Sequence, residues 1–144
     1  MTPRQQALLP SEWPEYEPPA KLPKTSSAEE LFAEQCRSYR LPAFERQFVF
    51  AKSIGRRWRF DFCFPAYWLA VEIDGVAVKR LAGQLVVLGR HASIEGIASD
   101  HEKCNCAVLL GWSLLHFLQK EVKPRRAIET TLRVLAAKGW RTTS

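Results

Sequence analysis

The sequence lacks the features that would assign it to several common classes of protein. It has no apolar run near the roughly 20 residues that a membrane-spanning helix needs, no apolar segment of a secretory signal near its N-terminus, and no internal repeat. We therefore expect a cytoplasmic protein without a membrane partner. At 144 residues and 47% hydrophobic content, the chain is long enough to bury one core, which predicts one globular domain.

Cysteine occurs four times and never as a CxxC pair. Cys104 and Cys106 lie two residues apart on a predicted helix, a spacing that is not typical of structural zinc sites. We expect all four residues, Cys36, Cys63, Cys104 and Cys106, to be reduced and to act as small buried hydrophobic residues.

Positive charge exceeds negative charge, with a net charge of +6 and a pI near 9.4. The basic residues cluster in two places: Arg56, Arg57 and Arg59, and then Lys123, Arg125, Arg126 and Arg133. Such clusters favour a polyanionic partner, because they neutralise phosphates and release counterions. A solvated basic face is the alternative explanation.

The chain divides into a proline-rich arm over residues 1–26 and a single domain over residues 27–140. Ser27 with Glu30 three residues later predicts a capping box. An apolar stripe then follows at helical spacing, formed by Ala28, Phe32, Cys36 and Tyr39. The first helix is expected to end at Leu41 and Pro42.

Strand-like runs follow at residues 45–50, 58–64, 68–73 and 112–118, and a small hairpin is predicted over residues 76–89. A helix is predicted over residues 93–110, from the spacing of Ile94, Ile97, Ala98, His101, Asn105 and Val108. A last helix is expected from Pro124, with Ile128, Thr131, Leu132 and Leu135 on one face. This order predicts an α/β fold in which the fourth strand returns to the sheet through a helical crossover.

The two central strands predict their own register. If residues whose numbers sum to 133 stand opposite one another, the apolar residues form three pairs and one unbroken hydrophobic face: Phe60 with Ile73, Phe62 with Val71, and Phe64 with Leu69. The same register places Asp61 directly across from Glu72 on the opposite face.

Asp61, Glu72 and Asp74 are then expected to converge on one side of the sheet. Carboxylates at that distance repel one another, and a cation between them would relieve the repulsion. Oxygen ligands indicate Mg²⁺ or Mn²⁺. Two alternatives stay open: Asp61 and Glu72 pair with Arg57 or Arg59, and Asp74 before Gly75 forms a turn.

Five segments, RRWRFDFCFP, LAVEIDG, GRHASIEG, DHEKCN and LLGW, resemble the PD-(D/E)xK nuclease superfamily, in particular small bacterial and phage proteins similar to very-short-patch repair endonucleases. The resemblance runs from about Ser27 to Phe117. It implies a restriction-endonuclease-like αβββαβ core, with a mixed sheet flanked by helices. It also implies that Asp61 and Glu72 are the metal ligands, and that Glu29 on the first helix is an additional acidic contributor. Glu30, by contrast, is explained by its role in capping the first helix.

The chain departs from the superfamily pattern at Asp74, where a lysine is usual. Lys103 resembles a lysine of this branch and is expected to replace it, although an ion pair with Asp100 explains Lys103 equally well. His91, in a Gly-Arg-His motif with Arg90, is a further candidate as general acid or phosphate contact.

The function implied is a divalent-metal-dependent endonuclease that hydrolyses duplex or branched DNA, in repair, recombination or phage DNA processing. The phosphate backbone of the DNA is expected to contact four arginines: Arg56, Arg57, Arg59 and Arg90. Two alternatives remain: a catalytically inactive DNA-binding module that retains the fold, and an interaction subunit of a larger complex.

Overall fold

The computed structural model describes residues 24–75, 77–88 and 93–142. The predicted arm therefore lies outside the described residues, except for positions 24–26. The described part of the chain contains three α-helices and six β-strands: α1 (Ser27–Ser38), β1 (Glu45–Val49), β2 (Arg59–Phe64), β3 (Leu69–Asp74), β4 (Ala77–Leu81), β5 (Gln84–Leu88), α2 (Ile94–Leu109), β6 (Ser113–Leu118) and α3 (Arg126–Ala137).

Four of the strands form one mixed sheet in the order β1-β2-β3-β6. The first three are antiparallel, whereas β6 is parallel to β3 and is reached through α2. The α/β class, the order of elements and the helical crossover are confirmed. The hairpin predicted over residues 76–89 forms a separate two-stranded sheet of β4 and β5. Within the described residues, no helix is long and apolar enough to cross a bilayer.

Apolar residues cover both faces of the four-stranded sheet. On one face α1 and α3 pack against Phe62, Phe64 and Val71. On the other face α2 packs through Cys106 and Ala107. A sheet covered on both sides reads as a nearly continuous apolar run, as β2 and β3 do apart from their acidic residues.

The prediction of one unbroken hydrophobic face is wrong at Phe60. Phe62 pairs with Val71 and Phe64 with Leu69, as the register requires. Phe60, however, packs on the α2 side, with its ring stacked on Phe50 at a centroid distance of 4.0 Å. Strand β2 therefore changes the face of its apolar residues at Asp61, between Phe60 and Phe62.

The capping box lies one residue earlier than predicted. The Ser26 hydroxyl accepts a hydrogen bond from the Glu29 N–H, and the Glu29 carboxylate accepts one from the Ser26 N–H at 2.6 Å. Glu30 is instead exposed and forms an ion pair with Arg46 at 2.7 Å. The prediction that Glu30 serves the cap is therefore wrong, and Glu29 has that role.

The predicted helix α2 is present, but the residues whose spacing predicted it do not face the core. Every one of them is exposed: Ile94, Ile97, Ala98, His101, Asn105 and Val108. The buried residues of α2 are Gly96, Cys106 and Ala107. The last helix begins at Arg126 instead of Pro124, after Arg125 in the left-handed region. Its predicted face is confirmed, with Ile128, Thr131 and Leu135 fully buried.

Candidate active site

The cleft forms where β2 and β3 stop pairing. One Asp61 carboxylate oxygen, Oδ2, accepts a hydrogen bond from the Ile73 backbone N–H at 2.8 Å. The Ile73 N–H thus donates to a side chain, whereas in a regular strand ladder it would donate to a backbone carbonyl. Pairing between β2 and β3 begins only at Phe62 and Val71. The resulting cleft has a volume of about 390 Å³ and contains Asp61 and Glu72 in its wall.

Glu72 and Lys103 come together across the cleft. Glu72 is only 6% exposed, and its Oε1 accepts a hydrogen bond from Lys103 Nζ at 2.5 Å. Lys103 lies on α2, so the helical crossover brings this amine to the sheet. The sequence had not predicted this pairing of Lys103 with Glu72.

Glu29 extends the acidic cluster from the other side of the sheet. It is 7% exposed, and its carboxyl interacts with that of Asp61. Burial raises the pKa of Glu29, against the hydrogen bond from Ser26, and the Asp61 carboxyl adds to the increase. Burial also raises the pKa of Asp61 to about 6, reinforced by the charge of Glu72. Three carboxyls thus lie close together, in the order Glu29, Asp61, Glu72.

The predicted arginines divide into two groups. Arg57 and Arg59 line the cleft, and the buried Nε of Arg59 has no hydrogen-bond partner among the described residues. Arg56 points elsewhere: its guanidinium pairs with Glu102 at 2.5 Å and stacks on the Trp58 ring at 4.5 Å. In the described part of the chain, no ion pair joins an arginine to Asp61 or Glu72.

Asp74 lines the cleft, but its carboxylate contacts His116. The Asp74 Oδ2 lies 3.4 Å from His116 Nδ1, and the His116 Nε2 lies 3.5 Å from Cys104 Sγ. The hydrogen bond to Asp74 raises the pKa of His116, against the effect of burial. The sequence did not predict these contacts of His116.

Gln47 belongs to the cleft and was not predicted. It stands across from Asp61 in the register of β1 and β2, with its Nε2 3.5 Å from Asp61 Oδ1. Its φ of 51° lies in the left-handed region, which is rare for a non-glycine residue inside a strand. Such strain clusters at functional sites. The sequence carries no signal for it, because neither the register of β1 nor its φ angle follows from residue type.

Two predicted site residues, Arg90 and His91, lie outside the described residues. Among those described, no group of three or more histidine, cysteine, aspartate or glutamate side chains is arranged to hold a metal ion. No protein-family profile, curated protein or solved structure matches the chain. The resemblance to PD-(D/E)xK nucleases therefore stays a prediction.

Proposed function

We propose that this chain is a divalent-metal-dependent endonuclease that hydrolyses DNA phosphodiester bonds, and that it belongs to the PD-(D/E)xK superfamily. The observation that carries the proposal is the meeting of Asp61, Glu72 and Lys103 in one cleft. Two acidic side chains and a lysine beside them are the combination that the resemblance implies. In this chain Asp74 occupies the position where the superfamily usually has its lysine, and Lys103 on α2 would supply the amine instead.

The acidic residues fit a hard cation. Asp61 and Glu72 supply carboxylate oxygens. Burial, and then the charge of Glu72, raise the pKa of Asp61, and a cation between the two carboxylates would relieve their repulsion. Two protein carboxylates suffice for Mg²⁺, which usually retains several waters. When bound, Mg²⁺ or Mn²⁺ would polarise a phosphate oxygen and acidify a water molecule.

The protein's own groups position the phosphate. Lys103 Nζ lies in contact with Glu72, so it stands beside the proposed cation and can donate to a phosphate oxygen as negative charge develops there. Arg59 also lines the cleft, and its guanidinium would supply a second donor to the phosphate. Arg57 adds positive charge at the rim.

The element order supports a restriction-endonuclease-like core. The order α1, β1, β2, β3, α2, β6, with β6 parallel to β3, is the αβββαβ arrangement that the resemblance implies. The β4–β5 hairpin is inserted between β3 and α2. Since one fold hosts many functions, the proposal rests on the cleft and not on the order.

The test compares metal binding with cleavage. Asp61→Ala and Glu72→Ala should each lower Mn²⁺ affinity in calorimetry and abolish cleavage of linear, branched and mismatched DNA. Glu45→Ala is the matched control, because Glu45 is an exposed acid on β1, and it should behave as wild type. Unchanged Mn²⁺ affinity in both cleft variants would refute the site. DNA binding without cleavage under Mg²⁺ or Mn²⁺ would identify an inactive binding module instead.

A further inference from the structure

Cys104, His116 and Asp74 form a chain of contacts that the proposed phosphodiester chemistry does not use. Cys104 lies on α2, His116 on β6 and Asp74 at the end of β3, so three elements meet at this point. Cys36, Cys63 and Cys106 are buried, whereas Cys104 is partly exposed. His116 and Asp74 have side chains that are 44% and 38% exposed, which leaves the group open to solvent.

The contacts follow the pattern of a metal-binding histidine. A histidine that ligates zinc commonly donates its other ring N–H to a carboxylate, which fixes the tautomer and orients the ring. With Nδ1 directed at Asp74 Oδ2 at 3.4 Å, the His116 Nε2 is the nitrogen left for a ligand, and it faces Cys104 Sγ.

The distance between the two ligand atoms also fits one cation. With zinc–sulfur and zinc–nitrogen distances of about 2.3 and 2.0 Å and a tetrahedral angle, two ligands of the same ion lie about 3.5 Å apart. Cys104 Sγ and His116 Nε2 are 3.5 Å apart. Besides burial, the positive charge of Lys103 acts most strongly on Cys104, opposed by the carboxylates of Glu72, Asp100 and Asp74. Three negative charges against one positive charge favour a bound cation.

We propose that Cys104 Sγ and His116 Nε2 form a binding site for a thiophilic divalent cation such as Zn²⁺, with Asp74 as the carboxylate that orients His116. Among the described residues, no third histidine, cysteine or acidic side chain completes a three-ligand set, so the remaining ligands of the cation would be water molecules. The site is distinct in chemistry from the oxygen ligands Asp61 and Glu72.

Binding of the cation would release a proton and would link α2 to β6. Burial raises the pKa of the Cys104 thiol, so the free thiol is protonated at neutral pH. Coordination replaces the S–H bond with a metal–sulfur bond and releases that proton to solvent. The bound cation joins α2 to β6 one residue from Lys103, so the site would also restrain the helix that carries this amine.

The experiment uses Co²⁺ as a spectroscopic probe and the full chain under a non-chelating reductant. A thiolate-to-cobalt charge-transfer band in the near ultraviolet is expected, together with its loss when Zn²⁺ displaces Co²⁺. Cys104→Ser should abolish the band, and His116→Gln should abolish it or greatly weaken it. Asp74→Asn should weaken Co²⁺ affinity by about 10- to 100-fold. Thermal melting of each variant verifies that it is folded.

Two controls separate this site from the other. Cys106→Ala removes a buried cysteine of the same helix and should retain the band. Asp61→Asn should also retain it while losing Mn²⁺ affinity, so either proposal can fail alone. A wild-type protein without the band, or a band that persists in Cys104→Ser, would overturn the inference and leave a thiol–imidazole hydrogen bond.

Discussion

Asp61 is the residue on which the cleft depends, and its electrostatics predict a pH effect. Its pKa is about 6 in the folded protein against an ordinary value of 3.8. Between these two pH values, the metal-free folded protein therefore keeps a proton on Asp61 that the unfolded chain has lost. Stability should therefore fall as pH rises from about 4 to 6, by about 2 kcal/mol after allowing for partial solvent exposure. Urea denaturation of the metal-free protein across this range measures the effect.

Asp61→Asn should remove most of this fall, because the amide does not ionise and still accepts from the Ile73 N–H. Glu29, whose pKa is also raised, contributes a residual slope of the same sign. Glu45→Gln is the matched control and should leave the slope unchanged. A wild-type stability that rises through this window would contradict the arrangement of the carboxyls.

Lys103 offers a second prediction at the residue scale. Lys103→Met should lower the cleavage rate by about 100- to 1000-fold, the range for removing one preorganised donor. Mn²⁺ affinity should not fall, since Glu72 is no longer shared with the amine. The free energy of unfolding should drop by about 1–3 kcal/mol, because a buried carboxylate loses its donor.

The comparison variant for this prediction is Lys120→Met, which removes an exposed lysine and should keep wild-type rates. If Lys103→Met cleaves at the wild-type rate, the catalytic positive charge belongs to another group. His91 is then the next candidate, as the sequence suggested.

At the scale of the element, the start of α1 tests which serine caps the helix. Ser26→Ala should destabilise the protein by about 1 kcal/mol, because it removes the acceptor of the Glu29 N–H. Ser27→Ala should change stability by less than about 0.5 kcal/mol, as at most surface positions. Thermal or urea unfolding of the pair gives the answer, and a larger cost for Ser27→Ala than for Ser26→Ala would favour the frame predicted from sequence.

The sequence alone could not choose between these frames, because Ser26-Glu29 and Ser27-Glu30 have the same spacing. The choice depends on tertiary partners. Arg46 on β1 forms an ion pair with Glu30, while Glu29 lies against Asp61 and is buried. One acidic residue thus faces the site and the other faces solvent.

Helix α2 shows a related difficulty. Its helical period was detected correctly, but several faces of a helix have that same period. Packing selected the face with Gly96, Cys106 and Ala107, whose small side chains allow close approach to the sheet. This choice brings Lys103 to Glu72 and Cys104 to His116. Helix formation was therefore predictable, whereas its rotation was not.

For the whole molecule, the net charge of +6 predicts salt-dependent DNA binding. If about four to six phosphates are contacted, the slope of log affinity against log salt should be roughly −4 to −5. Arg57→Ala should flatten it by about one. Arg56→Ala should have less effect, because Glu102 already neutralises that guanidinium. Fluorescence anisotropy on duplex DNA at several salt concentrations measures all three slopes.

Arg133→Ala, an exposed arginine of α3, is the control for charge alone. It should leave the slope nearly unchanged if the DNA lies along the cleft. A wild-type slope near zero would remove the charge-based case for a nucleic-acid partner and favour the interaction-subunit alternative.

The sequence by itself determined the α/β class, the order of the elements and the register of the β2–β3 pair, because these follow from local periodicity and from matching apolar residues across one hairpin. It thereby predicted that Asp61 and Glu72 lie near each other. The resemblance also named Glu29 and Lys103 as site residues, but only the tertiary structure decided how these groups reach the two carboxylates. Glu29, Gln47 and Lys103 come from separate elements, and their approach depends on long-range packing and helix rotation, which no local pattern encodes.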